Sequence, residues 1–269
     1  MIIDGGKIAA EILEEVSLMV KELPLPPRLT VFTCAPNFET KKFLTLKQKR
    51  AAEVGILVTV VEFPPAVELS EIQSAITATH LTSDGIIVQL PFPPQIPIQH
   101  VLDKISPTHD VDALFYAGIG EEILPPVVGA IDVIAQRQRI IFKDKQVVVV
   151  GYGRLVGSPA KLYAESKGAN VKVIQKDTAG AKDIIGNADI LILGAGVPGL
   201  ITPDIIKDSV VIFDAGASEE GGILVGDAVP EVASKASLLT PVPGGIGPIA
   251  IAVLLRNLVF LTKNNRKKT

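Results

Sequence analysis

The sequence predicts a two-domain α/β protein, each domain built on a parallel sheet. Three observations point there. Short apolar runs alternate with segments of helical period along most of the chain, from Leu29–Cys34 to Val210–Gly216. The hydrophobic content of 48% comes mostly from Val, Ile, Leu and Ala, with no Trp and 4% aromatics, as in strands covered on both faces by helices. Finally, one strand-to-helix junction, GYGRLVG at Gly151–Gly157, spaces its glycines like a dinucleotide loop. At 269 residues the chain can bury two cores without disulfides.

The elements follow in order. Ile8, Ile12, Leu13, Val16, Met19 and Val20 form a helical stripe that ends at the Pro-rich turn Leu23–Pro27. Strand Leu29–Cys34, helix Phe38–Val54, strand Ile56–Phe63, helix Glu68–Thr79 and strand Asp84–Leu90 come next. Parallel pairing with right-handed crossovers places a ligand rim at the strands' C-terminal ends, near Cys34–Asn37, Phe63–Pro64 and Gln89–Pro94. A helix near Val127–Arg139 leads to a second series: QVVVVG, helix Leu155–Ser166, NVKVIQ, a short helix near Ala179–Ile185, DILILG and VVIFDAG. The last helix, Ile249–Leu261, is apolar on nearly every side and is expected to be buried against the first half. The expected division is a first domain over residues 1–120, completed by 245–269, and a Rossmann-like nucleotide-binding domain over 121–244.

Composition excludes several classes. A net charge of −3 offers no positive field for nucleic acid, and the basic stretch Lys263–Lys268 reads as a solvated terminus. Cys34, the one cysteine, excludes an internal disulfide and suits the reducing cytoplasm. The start MIIDGGKIAAEILEEV carries acidic residues within its apolar pattern and reads as neither signal peptide nor membrane span. His80, His100 and His109 lack zinc-site spacing, so no metal is expected.

Gly151, Gly153 and Gly157 cross the strand-to-helix junction in G-x-G-x-x-x-G spacing, where backbone N–H groups and the helix N-terminus meet a pyrophosphate. The next strand ends at Gln175, Lys176 and Asp177. Lys176 suits the 2′-phosphate of NADP, whereas Asp177 would take the ribose hydroxyls of NAD. Arg154 is either a second phosphate ligand or a solvated arginine.

In the first half, Lys47 shares a helix face with Phe43, Ala51 and Val54. A lysine on a packed face loses basicity and can exchange protons near neutral pH, unless it merely covers apolar surface. Gln89 ends an apolar strand at the predicted rim. In HDVDAL one of Asp110 and Asp112 caps a turn while the other faces the site, and residue chemistry does not choose between them. PVPGGIGP places Gly244, Gly245 and Gly247 before the last helix, for a close ligand approach or a packed crossover turn.

A helix lysine, VQLPFP, DVDA, a Gly-rich loop in the second half, VGDA and PVPGGIGP occur here in that order. Together they resemble the bifunctional methylenetetrahydrofolate dehydrogenase/methenyltetrahydrofolate cyclohydrolase family, from IIDG at Ile2–Gly5 to the final helix. The resemblance implies NADP-dependent oxidation of 5,10-methylenetetrahydrofolate, then hydrolysis of the methenyl product to 10-formyltetrahydrofolate. It matches the family's essential lysine to Lys47, the glutamine that tunes it to Gln89 and the pterin-binding aspartate to Asp112. Phe43, Gly244 and Gly245 fall at substrate-binding positions; Gly151, Tyr152, Gly153, Arg154, Gly157, Lys176 and Ala217 fall at cofactor-binding ones. A cytoplasmic homodimer in tetrahydrofolate interconversion and purine biosynthesis is implied as well. Departures are Phe43 for tyrosine, Tyr152 for arginine, Gly153 for serine, Leu124-Pro125-Pro126 for Cys-Thr-Pro, Ile249-Ala250 for Met-Thr, and Asp214-Ala215-Gly216-Ala217-Ser218 for D-x-G-I-N. They leave two alternatives: an enzyme keeping only one of the two activities, or a non-catalytic folate- or dinucleotide-binding regulator.

Overall fold

The computed structural model describes residues 1–118 and 122–267, without the side chains of Phe38 and Glu39. The division between residues 120 and 121 and the basic Lys268 lie outside the described residues. By contacts the chain forms two compact units, Met1–Ala9 with Tyr116–Ala250, and Ala10–Phe115 with the residues from Ile251 onward.

The unit formed mainly by the first half takes the elements α1 (Gly5–Lys21, from Ala10), β1 (Arg28–Cys34), α2 (Phe38–Glu53), β2 (Leu57–Phe63), α3 (Leu69–Thr79), β3 (Gly85–Val88) and α4 (Ile98–Leu102). Its three parallel strands run in the order β2-β1-β3, with Phe32 opposite Val61 on one side and Val88 on the other. Helix α2 starts where Asn37 accepts a hydrogen bond from the Thr40 N–H at 2.8 Å, a side-chain cap. On α3, Ile72 and Ile76 lie one turn apart and bury against Phe32, Cys34, Ile86 and Val88. Strand β3 is shorter than the predicted Asp84–Leu90, because its ladder closes with the Gln89 N–H on Phe32 O (2.8 Å). Helix α4 has only five residues, fewer than a hydrophobic period needs to show in sequence.

The other unit contains α5 (Pro126–Gln138), β4 (Gln146–Val150), α6 (Gly157–Ser166), β5 (Asn170–Ile174), α7 (Ala181–Gly186), β6 (Ile190–Leu193), β7 (Val211–Asp214), β8 (Ser218–Glu220), β9 (Ile223–Val225) and β10 (Leu238–Leu239). Its five-stranded parallel sheet has the order β10-β7-β6-β4-β5, so strand order reverses between β4 and β6. Met1–Ile3 pair with β10, through Ile3 N–H to Leu239 O and Leu239 N–H to Met1 O, both 2.9 Å. The β8–β9 hairpin turns on Gly221 and Gly222, both at positive φ, and its three-residue strands are too short for alternation to reveal.

Helix α8 (Ile246–Arg266) exceeds the predicted Ile249–Leu261 at both ends. Pro248 lies in its first turn, where a missing N–H costs no helical bond. Beyond Leu261 the polar turn is held by Lys263 to Glu22 at 3.0 Å and Arg266 to Asp84 at 2.8 Å. By length and apolarity α8 could cross a bilayer, but 67% of that apolar window is buried inside the fold, which makes it a core helix. From Ile251 it belongs with the first-half unit, as expected of a helix packing back on that half.

Candidate active site

Lys47 projects from α2 beside the end of β3. The buried face of α2 carries Thr40, Leu44, Ala51 and Val54, with Lys47 half-buried in line. Phe43, one turn before Lys47, lies at the edge of that stripe. It is 37% exposed, because Leu44 takes the inward position at the start of the stripe. Lys47 Nζ donates to Gln89 Oε1 at 2.7 Å, and Gln89 Nε2 donates to Leu90 O at 3.1 Å. The amide is thus fixed from both ends. The strand order explains the meeting: β1, which feeds α2, lies next to β3, and a 2-1-3 order opens its crevice between those two strands' C-terminal ends.

The third member is Asp112. Burial pushes the Lys47 ammonium below its ordinary range, and the Asp112 charge partly opposes that; burial likewise pushes the Asp112 carboxyl up, opposed by Lys47. Each group's charge therefore offsets part, and not all, of the other's cost of burial. Asp110 takes the other role, accepting from the Leu114 N–H and capping the turn. It is buried, its Oδ1 has no partner among the described residues, and burial with the nearby Asp112 charge pushes its carboxyl up to about 7. Helix α8 braces the segment, with Asn257 Nδ2 donating to Val111 O at 3.0 Å.

In the other unit Gly151 sits at φ +88, and a Cβ there would lie 2.5 Å from Gly194 O. A Cβ on Gly157 would meet the backbone of Gly151 and, at 2.8 Å, Tyr152 Cα. Both glycines are demanded by close backbone packing. Gly153 differs: a Cβ there meets nothing within 4 Å, so the loop is open on that side. Helix α6 begins at Gly157 and not at Leu155, because Arg154–Val156 form a turn before it. Tyr152, Arg154, Gln175, Lys176, Asp177 and Ala217 are all exposed. Among the described residues no group of three His, Cys, Asp or Glu is placed to hold a metal ion.

Gly244 and Gly245 have local explanations. Gly244 adopts φ +99 and its carbonyl accepts the Gly5 N–H at 2.8 Å, while Gly245 donates to Pro241 O at 2.7 Å and has no room for a side chain. The packed turn therefore accounts for Gly245, whereas Gly244 and Gly247 have open space where a side chain would stand.

The catalytic domain of the tetrahydrofolate dehydrogenase/cyclohydrolase family matches residues 3–112, and that family's NAD(P)-binding domain matches residues 125–266. The chain belongs to the tetrahydrofolate dehydrogenase/cyclohydrolase family. The bifunctional protein FolD of Lactobacillus acidophilus is 32% identical over 97% of both chains. A crystal structure of the bifunctional FolD enzyme of Campylobacter jejuni superposes with a TM-score of 0.93 at 30% identity, covering 98% of this chain and 99% of that one. The Trypanosoma brucei FolD, complexed with NADP and an inhibitor, has the same TM-score at 29% identity, covering 99% and 98%.

This tetrahydrofolate dehydrogenase/cyclohydrolase chain also carries two acids to which its sequence motifs assign no role, Asp214 and the Asp227 of VGDA. Asp214 and Asp227 are both buried, and burial with the Asp227 charge pushes the Asp214 carboxyl up to about 7. A charged residue closing the apolar strand VVIFD was the available signal.

Proposed function

We propose that the chain oxidises 5,10-methylenetetrahydrofolate with a nicotinamide dinucleotide and hydrolyses the methenyl product to 10-formyltetrahydrofolate. The observation that carries this is the Lys47–Gln89 hydrogen bond with Asp112 acting on the same ammonium, in a chain whose two halves match the family's two domains. Lys47, deprived of water, can release its proton and take one from the water that attacks the methenyl carbon, then return it as the ring C–N bond opens. Gln89 holds the Lys47 nitrogen in one direction, and Asp112 offers a carboxylate to the N–H edge of the pterin.

The dinucleotide loop passes a test of fit. Gly151 and Gly157 bring the backbone close, Gly153 leaves its side open, and α6 opens at the end of the loop. Gly151, Tyr152, Gly153 and Arg154 would hold the pyrophosphate side. When bound, the nicotinamide supplies the hydride acceptor. NADP over NAD is our reading from Lys176 and Arg154, two exposed cations without an ion pair among the described residues, although Asp177 is exposed beside Lys176. A cytoplasmic homodimer serving purine biosynthesis belongs to the same proposal on the resemblance alone, and sedimentation tests the dimer.

The deciding experiment mixes purified protein with methylenetetrahydrofolate and each dinucleotide in turn, following reduced cofactor and methenyl product together. Turnover with NADP but not NAD supports the full reading; no turnover with either defeats it. Phe43, which lacks the family's hydroxyl, favours a second reading in which one activity is weak. Assaying each folate separately distinguishes the two.

A further inference from the structure

Two carboxylates are enclosed at the C-terminal edge of the five-stranded sheet, and among the described residues they accept hydrogen bonds from backbone alone. Asp214 Oδ1 accepts from Gly216 N–H at 2.9 Å and Asp227 N–H at 3.4 Å, and its Oδ2 accepts from Ala228 N–H at 2.9 Å. Asp227 Oδ2 in turn accepts from Ala195 N–H at 2.7 Å and Gly196 N–H at 3.3 Å, while its Oδ1 accepts from Val197 N–H at 2.8 Å. Asp214 thus fixes the backbone of Asp227, and Asp227 gathers three successive amides of the turn after β6. Gly216 and Gly226 have no room for side chains because the two carboxylates lie there.

Burying a carboxylate without a cation is costly, and neither residue forms an ion pair among the described residues. What the arrangement secures is one shape for the Gly194–Val197 turn. That turn abuts the dinucleotide loop, since a Cβ on Gly151 would stand 2.5 Å from Gly194 O and 2.8 Å from Ala195 Cα. It also follows β6, the strand paired with β4 where strand order reverses, so the two loops form opposite walls of the crevice in which such sheets take ligands. Ser218 Oγ adds a tie to Gly196 O at 3.1 Å.

We propose that Asp227 is a positioning residue for the dinucleotide, holding the Gly194–Val197 turn as the crevice wall facing Gly151–Gly157, with Asp214 holding Asp227 in place. The inference rests on the enzymatic reading above. Replacing Asp227 by Asn sets an amide N–H against backbone donors and loosens the turn. In the full chain, Asp227→Asn raises the dinucleotide KM and the dissociation constant of the reduced cofactor about tenfold or more, and leaves kcat at saturating dinucleotide within about threefold. Hydrolysis of methenyltetrahydrofolate, which needs no dinucleotide, stays within about twofold of wild type and reports that the fold is intact.

Unchanged affinity for the reduced cofactor overturns the proposal, as does a parallel loss of hydrolysis. If Asp227→Asn does not fold, Ser218→Ala decides: cofactor binding weakened about threefold with normal hydrolysis supports the proposal, and wild-type affinity overturns it. Fluorescence of the bound reduced dinucleotide separates the two readings. A wild-type chain that binds it but turns over no folate defeats the enzymatic reading and leaves Asp227 to be judged by affinity.

Discussion

Lys47 and Gln89 are 42 positions apart in the chain and 2.7 Å apart at Nζ and Oε1. The contact fixes where the ammonium points, while burial lowers its hold on the proton. Lys47→Met keeps the bulk of the side chain and removes the exchangeable proton. It is expected to reduce cyclohydrolase turnover about 10²- to 10⁴-fold, the range of general acid–base catalysis, and to affect the dehydrogenase less. Hydrolysis of methenyltetrahydrofolate at the wild-type rate would remove Lys47 from the mechanism.

Asp112 acts on the same nitrogen through charge. Its carboxylate raises the Lys47 pKa against the stronger effect of burial, so Asp112→Asn lets that pKa fall further. If neutral Lys47 is the working base, activity rises as pH climbs through its pKa, and the rising limb of the Asp112→Asn profile moves to lower pH. Weaker folate binding accompanies it, read as a KM increase of about tenfold, since the pterin's N–H edge loses a charged acceptor. A rising limb at the wild-type pH shows that Lys47 is not the titrating group.

Much of this was legible in the chain. β1 and α3 read directly, because runs such as LTVFTC and the Ile72–Ile76 spacing carry their period in a few residues. Lys47, Gln89 and Asp112 could be named one by one, but their meeting depends on the order β2-β1-β3, which no local pattern contains. Phe43 and Leu44 are both apolar, and only packing decides that Leu44 is the inward one on α2. Asp227 escaped because its partners are backbone amides about thirty residues away, and backbone leaves no mark in sequence.

The dinucleotide loop makes a contrasting pair of predictions. Gly157→Ala drives a methyl group into the backbone of Gly151 and Tyr152, so the loop must shift, and the dinucleotide KM is expected to rise about tenfold or more while hydrolysis is spared. Gly153→Ser meets nothing within 4 Å and fits without strain. It restores the residue type that the family resemblance expects and adds a hydroxyl on the open side of the loop. Its unfolding midpoint should match wild type and its dinucleotide KM should be equal or lower. Equal KM values for wild type and Gly157→Ala would show that the loop's packing does not govern cofactor binding.

Asp110 makes the stability depend on pH in a direction opposite to that of most carboxylates. Its folded carboxyl is pushed up to about 7 from the ordinary 3.8, so the folded state holds a proton that the unfolded chain releases. The stability it contributes is complete below pH 3.8, declines as pH rises and is gone above about 7. The slope from this one group is at most about 1.4 kcal/mol per pH unit. Asp214, pushed up to about 7 by its own burial, acts in the same sense. Asp110→Asn cannot titrate, so urea unfolding from pH 4.5 to about 7.5 should show a shallower loss of stability than wild type. Parallel curves for the two proteins would mean that Asp110 is already ionised in the fold, with its Oδ1 buried and without a partner among the described residues.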